Sequence, residues 1–399
     1  MAAARFAERY AAAGGRDEVV LCGAESSAPY GRVLLAEVLA GRLGPEGIAL
    51  PVGDAVVRTG TEVVGLRPGA VVTADGAETR CDAVVLATGA NPVLPPLRGL
   101  RRADGAPVEG VHSFRTLADC AALAAAARPG GRAVVVGGGV LGVSAARALA
   151  ATGLAVEIVH QGPHLVERHL DARAGALLRA GLERLGVAAY PGARARALRV
   201  DGAGRVSGVE LAVGPVLGTD LVVLACGVRP RTGLAHAAGL PVRGGVVVDE
   251  GLAVAPGVFA IGDCAEFAGR VHGLSGPAWE QADVLAARLS GADPHAVYTG
   301  SRPVARLTAG PIEYAVFGEA RWEGAAGDAA GVDVVRLTDA TRGTYKKLVL
   351  RGDRLVGGIL LGDLATVGAV GRAYLRADPV APGSVPAHLL HDTDEEGAA

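Results

Sequence analysis

Residues 132–146 read Arg-Ala-Val-Val-Val-Gly-Gly-Gly-Val-Leu-Gly-Val-Ser-Ala-Ala. An apolar β-branched run comes first and an alanine-rich helical stretch comes last. Between them, Gly137, Gly139 and Gly142 form the pattern G-x-G-x-x-G. In a strand–turn–helix context these glycines allow a tight turn, close backbone approach to a pyrophosphate and close helix–strand packing. The helix start adds free N–H groups and a partial positive charge. The stretch therefore predicts a dinucleotide-binding unit.

The next predicted strand, residues 155–160, ends at His160 and is followed by Gln161. An acidic residue at this tip would bind the ribose 2′-hydroxyl of NAD, and an arginine would accommodate the 2′-phosphate of NADP. Neither residue type stands there, and Arg168 fits an exposed charge at a helix start. The sequence therefore leaves NADH and NADPH both open.

Short apolar runs bounded by glycine recur along the chain. They predict buried parallel strands at residues 18–23, 83–89, 132–139, 155–160, 220–227 and 258–262. Alanine-rich stretches predict helices at residues 117–127, 141–152 and 172–185. This alternation predicts an α/β doubly wound fold. From Ser301 the pattern changes: residues 332–337, 344–350 and 354–361 predict a three-stranded antiparallel sheet, followed by a short helix near residues 364–375.

Composition limits the function classes. A chain of 399 residues predicts two or three domains. Its formal net charge of −2 argues against a nucleic-acid surface. No apolar run has the length of a membrane span, and the first residues do not form a signal peptide, so we expect a cytoplasmic protein. The five cysteines are scattered without a C-x-x-C, which predicts no metal site, iron–sulphur cluster or disulfide framework.

Further segments resemble the two-dinucleotide-domain flavoproteins. Residues 84–92, Val-Val-Leu-Ala-Thr-Gly-Ala-Asn-Pro, are similar to their A-T-G turn. Residues 257–265, Gly-Val-Phe-Ala-Ile-Gly-Asp-Cys-Ala, are similar to their second flavin motif, and residues 276–282 to the helix start beside the flavin ring. Supporting segments lie at residues 29–35, 165–171, 225–231 and 345–351. The ordered set most resembles the FAD/NAD(P)H half of the nitrite reductase large subunit and the rubredoxin and ferredoxin reductases.

This resemblance implies two nested doubly wound dinucleotide-binding domains with a small C-terminal α+β domain. The FAD-binding domain would comprise residues 1–114 and 225–300, and the NAD(P)-binding domain residues 115–224. Residues 301–385 would form a C-terminal interface domain, and residues 386–399 an acidic tail that we expect to be disordered from Asp392.

The start of the chain departs from the family pattern. The residues from Met1 match the helix after the family's first glycine turn, so the family's first strand and first Gly-rich loop are missing from the sequence. A start codon placed too far downstream and a real chain with weakened flavin binding are two open explanations. Ser144 also stands where the family usually has a glutamate.

The resemblance implies a cofactor site position by position. Glu25, Arg32 and Arg115 alone would also suit a solvated surface, whereas Asp263 follows an apolar strand, where an acid without a partner is costly. The implied site consists of Glu25 at the adenosine ribose of FAD, Val63 near the adenine, Arg32 near the flavin or its phosphates, Arg115 near the flavin, Thr88 and Gly89 at the flavin turn, Gly262 and Asp263 at the ribityl chain, and Trp279 and Glu280 near the nicotinamide.

The implied function is an FAD-dependent NAD(P)H oxidoreductase. It would pass electrons from NADH or NADPH through FAD to a separate redox partner: a ferredoxin, a rubredoxin or a sirohaem nitrite reductase component. No catalytic acid or base is expected, and a homodimer is left open. The alternative is a flavin-poor nucleotide-binding regulatory or scaffold protein. Ser144 and the missing loop favour that alternative, and Asp263 opposes it.

Overall fold

The computed structural model describes residues 1–309, 312–322, 331–377, 379 and 387–390. Its helices are α1 (Ala2–Ala12), α2 (Leu35–Leu39), α3 (Leu117–Ala126), α4 (Val140–Ala151), α5 (Ala172–Arg184), α6 (Gly233–Ala237), α7 (Ser275–Ser290), α8 (Val367–Arg376) and α9 (Ala387–Leu390). Within the described ranges, none of these helices is both long and apolar enough to cross a bilayer.

The strands are short in the first part of the chain and longer towards its end. They are β1 (Val20–Cys22), β2 (Val56–Arg58), β3 (Val63–Arg67), β4 (Ala70–Thr73), β5 (Glu78–Arg80), β6 (Val84–Leu86), β7 (Ala90–Pro92), β8 (Val111–Ser113), β9 (Arg132–Val136), β10 (Ala155–His160), β11 (Val187–Pro191), β12 (Ala195–Val200), β13 (Val206–Leu211), β14 (Val216–Gly218), β15 (Leu221–Leu224), β16 (Val228–Pro230), β17 (Val246–Val248), β18 (Ala253–Ala255), β19 (Val258–Ala260), β20 (Ala265–Phe267), β21 (Val304–Ala309), β22 (Ile312–Gly318), β23 (Val332–Asp339), β24 (Thr344–Arg351) and β25 (Arg354–Leu361).

These elements divide into two compact units. The first unit consists of Met1–Pro92, Arg115–Cys120 and Val228–Pro303. The second unit consists of Val93–Phe114, Ala121–Gly227 and the described part of Val304–Ala399. The chain therefore crosses between the units several times, and each unit is assembled from segments that are distant in sequence.

The second unit contains a five-stranded parallel sheet in the order β11-β10-β9-β15-β8. Its central strand β9 pairs with β10 from Ala155 opposite Arg132 to Val159 opposite Val136. Val134 and Val135 in β9 are fully buried, which explains why the strand reads as a continuous apolar run. The predicted strand–turn–helix at β9 and α4 is confirmed, as is the α/β doubly wound class.

The C-terminal sheet is larger than the sequence predicted. It has five antiparallel strands in the order β21-β22-β25-β24-β23, so the expectation of three strands was incomplete. Two strands were missed, β21 and β22. Strand β22 joins the sheet by pairing with β25, with Tyr314 opposite Leu361, and this pairing is distant along the chain and leaves no local pattern. The short helix predicted near residues 364–375 is α8. The acidic stretch from residue 392 lies outside the described residues.

The first unit is built around the contact between the helices α1 and α7. Phe6 and Tyr10 of α1 stack with their ring centroids 5.8 Å apart and belong to a core that includes Leu86, Ile261 and Leu285. Parallel pairing is confined here to short segments: β1 with β2, β6 with β19, and β17 with β20. Within the described part of the unit, no strand joins β1 to β6 in one sheet.

Candidate functional site

The turn between β9 and α4, residues 137–142, is here called the nucleotide loop. Gly137 has a φ of +113°, a conformation that side chains rarely adopt. Its N–H donates to the carbonyl oxygen of Val159 over 2.8 Å. A methyl group on Gly142 would lie 1.9 Å from the carbonyl oxygen of Gly137. Two of the three motif glycines are therefore required by the fold of the loop itself.

The third motif glycine has a different environment. A methyl group on Gly139 would meet no atom within 4 Å, and the φ of this residue is −75°, which any residue can adopt. Gly139 is the N-cap of α4, and no side chain caps the first turn of that helix. The first N–H groups of a helix have no partner inside the helix. The loop thus presents open space in front of an uncapped helix start, which suits a pyrophosphate.

Ser144 does not face this loop. Its side chain is buried, and its hydroxyl donates to the carbonyl oxygen of Val140 one turn back over 2.8 Å. This back-bonding satisfies the hydroxyl within α4. The serine that replaces the family's glutamate therefore offers no charge to a bound nucleotide.

A histidine supports the loop at the end of β10. The N–H of Gly138 donates to Nδ1 of His160 over 3.1 Å, and Nε2 of the same ring lies 2.7 Å from Oε2 of Glu167. Because Nδ1 accepts a hydrogen bond, Nε2 carries the proton and donates to the carboxylate. Glu167 was missed in the sequence, since the turn that brings it back to the strand end has no simple spacing.

The first unit holds a group of charged side chains, here called the charged cluster: Glu25, Tyr30, Arg32, Arg115 and Asp263. Nη2 of Arg32 contacts Oε1 of Glu25, and Nη1 of Arg32 donates to the Tyr30 hydroxyl over 2.7 Å. Nη1 of Arg32 also donates to the carbonyl oxygen of Arg115 over 3.0 Å. Nη2 of Arg115 donates to Oδ2 of Asp263 over 2.6 Å. The structure therefore brings together four residues that the sequence placed in the flavin site.

Tyr30 stands at the centre of the cluster and was not among the predicted site residues. Its hydroxyl donates to Oε2 of Glu25 over 2.5 Å and accepts from the N–H of Leu117 over 3.0 Å. Burial and the bond to Glu25 raise the pKa of Tyr30. Burial also acts to raise the pKa of Glu25, but Arg32 and Tyr30 outweigh it and lower that pKa. Glu25 is therefore a carboxylate at neutral pH.

One donor of the charged cluster is unused. Nε of Arg115 is buried and has no hydrogen-bond partner among the residues that the structure describes. A buried donor without a partner is costly, so such atoms are rare in native structures. Arg115 and Asp263 each keep 20% of the side chain exposed. This edge of the cluster therefore retains donor capacity that an incoming acceptor could use.

The two turns predicted to contact the flavin are also in the first unit. Gly262 has a φ of +79°, and its N–H donates to Oε1 of Gln281 over 2.7 Å. Gly89 has a φ of +72° at the turn after β6. Next to it, the Thr88 hydroxyl donates to the carbonyl oxygen of Arg231 over 2.6 Å. Gln281 is 2% exposed and was missed because its role depends on a turn 19 residues away.

The remaining predicted site residues lie outside the charged cluster. Val63 opens β3, opposite Thr73 of β4. Trp279 is 38% exposed in the first turns of α7, where the guanidinium of Arg5 lies 5.9 Å from its ring centroid. Glu280, the next residue, is exposed. The positions of Val63, Trp279 and Glu280 stay predictions as cofactor contacts.

The chain matches the family described as pyridine nucleotide-disulphide oxidoreductase over residues 1–284, and therefore belongs to that family. Residues 318–373 match the rubredoxin NAD+ reductase C-terminal domain. The predicted resemblance is confirmed.

Several known proteins are similar to the chain over half or more of its length or nearly half of it. The nitrite reductase [NAD(P)H] of Bacillus subtilis is 33% identical over 360 residues, which are 87% of this chain and 42% of that protein. The ferredoxin–NAD(+) reductase component of the biphenyl dioxygenase system of Paraburkholderia xenovorans is 39% identical over 48% of this chain and 45% of its own length. The crystal structure of a ferredoxin reductase from Rhodopseudomonas palustris has a TM-score of 0.81 and 25% identity, covering 96% of this chain and 94% of that one.

Family membership supports the first of the two predicted function classes. The chain belongs to a family of FAD-dependent NAD(P)H oxidoreductases, as the sequence predicted. It spans less than half the length of the curated relatives named above. In the described ranges, no three His, Cys, Asp or Glu side chains are grouped to hold a metal ion.

Proposed function

We propose that this oxidoreductase takes electrons from a nicotinamide nucleotide at the nucleotide loop and delivers them, through FAD, to a separate redox protein. The observation that carries the proposal is the Arg115–Asp263 pair, a polar group at the end of an apolar strand with a buried donor left open. A half-buried ion pair with an open buried donor has little use in folding alone.

The residues present fit FAD. The Glu25 carboxylate can accept hydrogen bonds from a ribose diol, and the Arg32 and Arg115 guanidinium groups supply charge for a pyrophosphate or a flavin oxygen. Asp263 can accept hydrogen bonds from ribityl hydroxyls, and the open Nε of Arg115 gives the cluster a spare donor. When bound, FAD supplies the step from two-electron to one-electron chemistry, which no protein side chain provides.

The nicotinamide nucleotide is assigned to the nucleotide loop. The uncapped start of α4 holds the pyrophosphate, and the glycines at 137 and 142 keep the loop in its tight form. Cys226 follows Ala225, which packs against the nucleotide loop. Burial raises the pKa of the Cys226 thiol to about 11. The thiol is therefore protonated at neutral pH and is no nucleophile. We expect the residues around the nucleotide to act by binding and orientation, because the cofactor carries the redox chemistry.

The acceptor is proposed to be a ferredoxin, a rubredoxin or a sirohaem nitrite reductase component. Two observations support a protein acceptor: the match of residues 318–373 to a rubredoxin reductase domain, and relatives whose names describe ferredoxin and nitrite reduction. No cysteine stands in residues 29–35, where a disulfide reductase would need a redox pair beside the flavin.

Asp263→Asn is expected to weaken FAD binding. The substitution removes a charge-assisted acceptor, which is worth roughly 1.5–3 kcal/mol, so the dissociation constant rises by about ten- to a hundredfold. Titration of the apoprotein with FAD, followed by flavin fluorescence, measures the change. Asp293→Asn is the matched control, because Asp293 is exposed and caps only its own turn through the N–H of His295. Equal FAD affinities of the two variants would exclude Asp263 from the site.

Electron delivery to a protein acceptor is tested by reduction of purified ferredoxin, rubredoxin and ferricyanide with NADH or NADPH under anaerobic conditions. We expect turnover with ferricyanide and with at least one of the two proteins. Turnover with ferricyanide alone would direct the search to a sirohaem partner. An FAD-loaded chain that oxidises no nicotinamide with any acceptor would contradict the proposed function.

A further inference from the structure

We infer that Glu167 selects the nicotinamide nucleotide: its carboxylate binds the adenosine ribose and disfavours a 2′-phosphate, so that NADH is the electron donor. This inference rests on the proposed function, because it requires a nucleotide at the nucleotide loop. It also goes further, since neither the sequence pattern nor the family assigns the donor. The selecting side chain, Glu167, lies seven residues beyond the end of β10.

Glu167 stands at the tip of β10. Oε2 of its carboxylate lies 2.7 Å from Nε2 of His160, the last residue of that strand. A methyl group on Gly162, two residues beyond the strand, would lie 3.0 Å from the carboxyl carbon of Glu167. The carboxylate therefore occupies the strand tip although no acid stands there in the sequence. The tip of the strand that follows the nucleotide loop is where a dinucleotide's adenosine ribose is bound.

The carboxylate is both fixed and accessible. The His160 side chain is 8% exposed and the Glu167 side chain 32%, so the imidazole holds the carboxylate from the protein side while part of it faces solvent. A carboxylate can accept hydrogen bonds from both hydroxyls of a ribose diol. It repels a 2′-phosphate, which carries negative charge at neutral pH. The pair thus favours the unphosphorylated nucleotide.

Two neighbouring arginines make the preference between the two nucleotides adjustable. Arg168 is exposed on the same turn as Glu167, and Nη1 of Arg321 donates to the carbonyl oxygen of Glu167 over 3.0 Å. With the carboxylate in place, its charge opposes any attraction that these guanidinium groups exert on a phosphate. Without the carboxylate, both guanidinium groups would favour binding of the 2′-phosphate. Removal of the Glu167 charge is therefore expected to change the preference between NADH and NADPH and to leave binding at the nucleotide loop intact.

His160 acts as a positioning residue with two separable bonds. Its Nδ1 accepts from Gly138 of the nucleotide loop, and its Nε2 donates to Glu167. An asparagine at this position can replace Nδ1 as acceptor but cannot reach Glu167. A glutamine places its amide nitrogen near the former Nε2 and leaves the Gly138 N–H without an acceptor. The two amides therefore separate support of the loop from orientation of Glu167.

The test uses ADP-ribose and 2′-phospho-ADP-ribose, which lack the nicotinamide and so report binding independently of flavin reduction. Isothermal titration calorimetry on the full chain gives both dissociation constants. We expect the wild type to bind ADP-ribose at least about tenfold more tightly than its 2′-phosphate. Glu167→Gln is expected to bring the two affinities within roughly threefold. Glu183→Gln is the control, because it removes a carboxylate from an exposed pair with Arg179 on α5.

The two His160 variants test whether the orientation of Glu167 determines the preference between the two probes. His160→Gln is expected to keep the wild-type preference, and His160→Asn to lose it while still binding ADP-ribose. A ratio of affinities in Glu167→Gln equal to that of the wild type would overturn the inference and leave the proposed function standing. A wild type that binds neither probe would overturn both, since no nucleotide would then occupy the loop.

Discussion

Replacing Asp171 with alanine is expected to lower the free energy of unfolding of the second unit by about 3–5 kcal/mol, the cost of leaving a buried charge unpaired. Nζ of Lys347 lies 2.9 Å from Oδ2 of Asp171, and the two side chains are 0% and 5% exposed. The Tyr345 hydroxyl donates to the same oxygen over 2.8 Å. Asp171 also caps α5 by accepting from the N–H of Ala174. The substitution removes all of these bonds.

Urea unfolding followed by circular dichroism measures this loss. The matched control is Asp353→Ala, which removes an exposed carboxylate 3.8 Å from Arg354, and is expected to change stability by less than about 0.5 kcal/mol. The double variant Asp171→Ala with Lys347→Met should recover a large part of the loss, because it removes the unpaired ammonium. Equal stabilities of Asp171→Ala and the control would show that the buried pair does not hold the C-terminal sheet to α5.

The effect of Asp171 also depends on pH in a defined direction. Burial acts to raise its pKa, but the Ala174 N–H, Lys347 and Tyr345 outweigh burial and lower it below the ordinary value. A group with a lowered folded-state pKa stabilises the fold above its unfolded pKa of about 4 and loses that contribution as pH falls through the folded pKa. The stability difference between wild type and Asp171→Ala should therefore be constant from about pH 5 to 8 and shrink below about pH 4.

Gly142→Ala is expected to abolish measurable nucleotide binding, with a dissociation constant raised at least about a hundredfold. The new methyl group would lie 1.9 Å from the Gly137 carbonyl oxygen, which is a backbone atom of the nucleotide loop, so the loop must open. The pyrophosphate site consists of that loop and the start of α4. Calorimetry with ADP-ribose measures the binding, and thermal unfolding measures the accompanying loss of stability.

Gly139→Ala separates the loss of nucleotide binding from the loss of stability. Its methyl group meets no atom within 4 Å and its φ of −75° suits alanine, so thermal stability should stay at the wild-type value. The same methyl group would occupy the space in front of the helix start, and nucleotide binding should weaken by about tenfold or more. Undiminished binding by both glycine variants would place the nucleotide elsewhere.

Local features of the molecule could be read from the sequence. The β9–loop–α4 unit was predicted because its strand run, its glycines and its helix are contiguous, and because backbone sterics require two of the three glycines. Asp263 could be singled out because an acid after Ala-Ile-Gly is costly without a partner, and the structure provides that partner in Arg115.

Features that depend on distant partners could not be read in the same way. Lys347 is fully buried because of Asp171, which lies 176 residues away, and nothing in its own segment distinguishes it from a surface lysine. Strand β22 depends on β25 for its pairing. The preference between nucleotides was left open because the strand tip ends in His160, whereas the carboxylate arrives from Glu167 through a turn. In each case tertiary contacts, and not local propensity, decide the role of the residue.

The most direct measurement is the visible absorption spectrum of the purified chain with FAD, recorded anaerobically before and after addition of NADH or NADPH. A bound-flavin band that survives desalting and is bleached by one equivalent of NADH is the expected result. A chain that retains no flavin, or whose flavin band neither nucleotide bleaches, would contradict the assignment of nicotinamide-to-flavin electron transfer to these two sites.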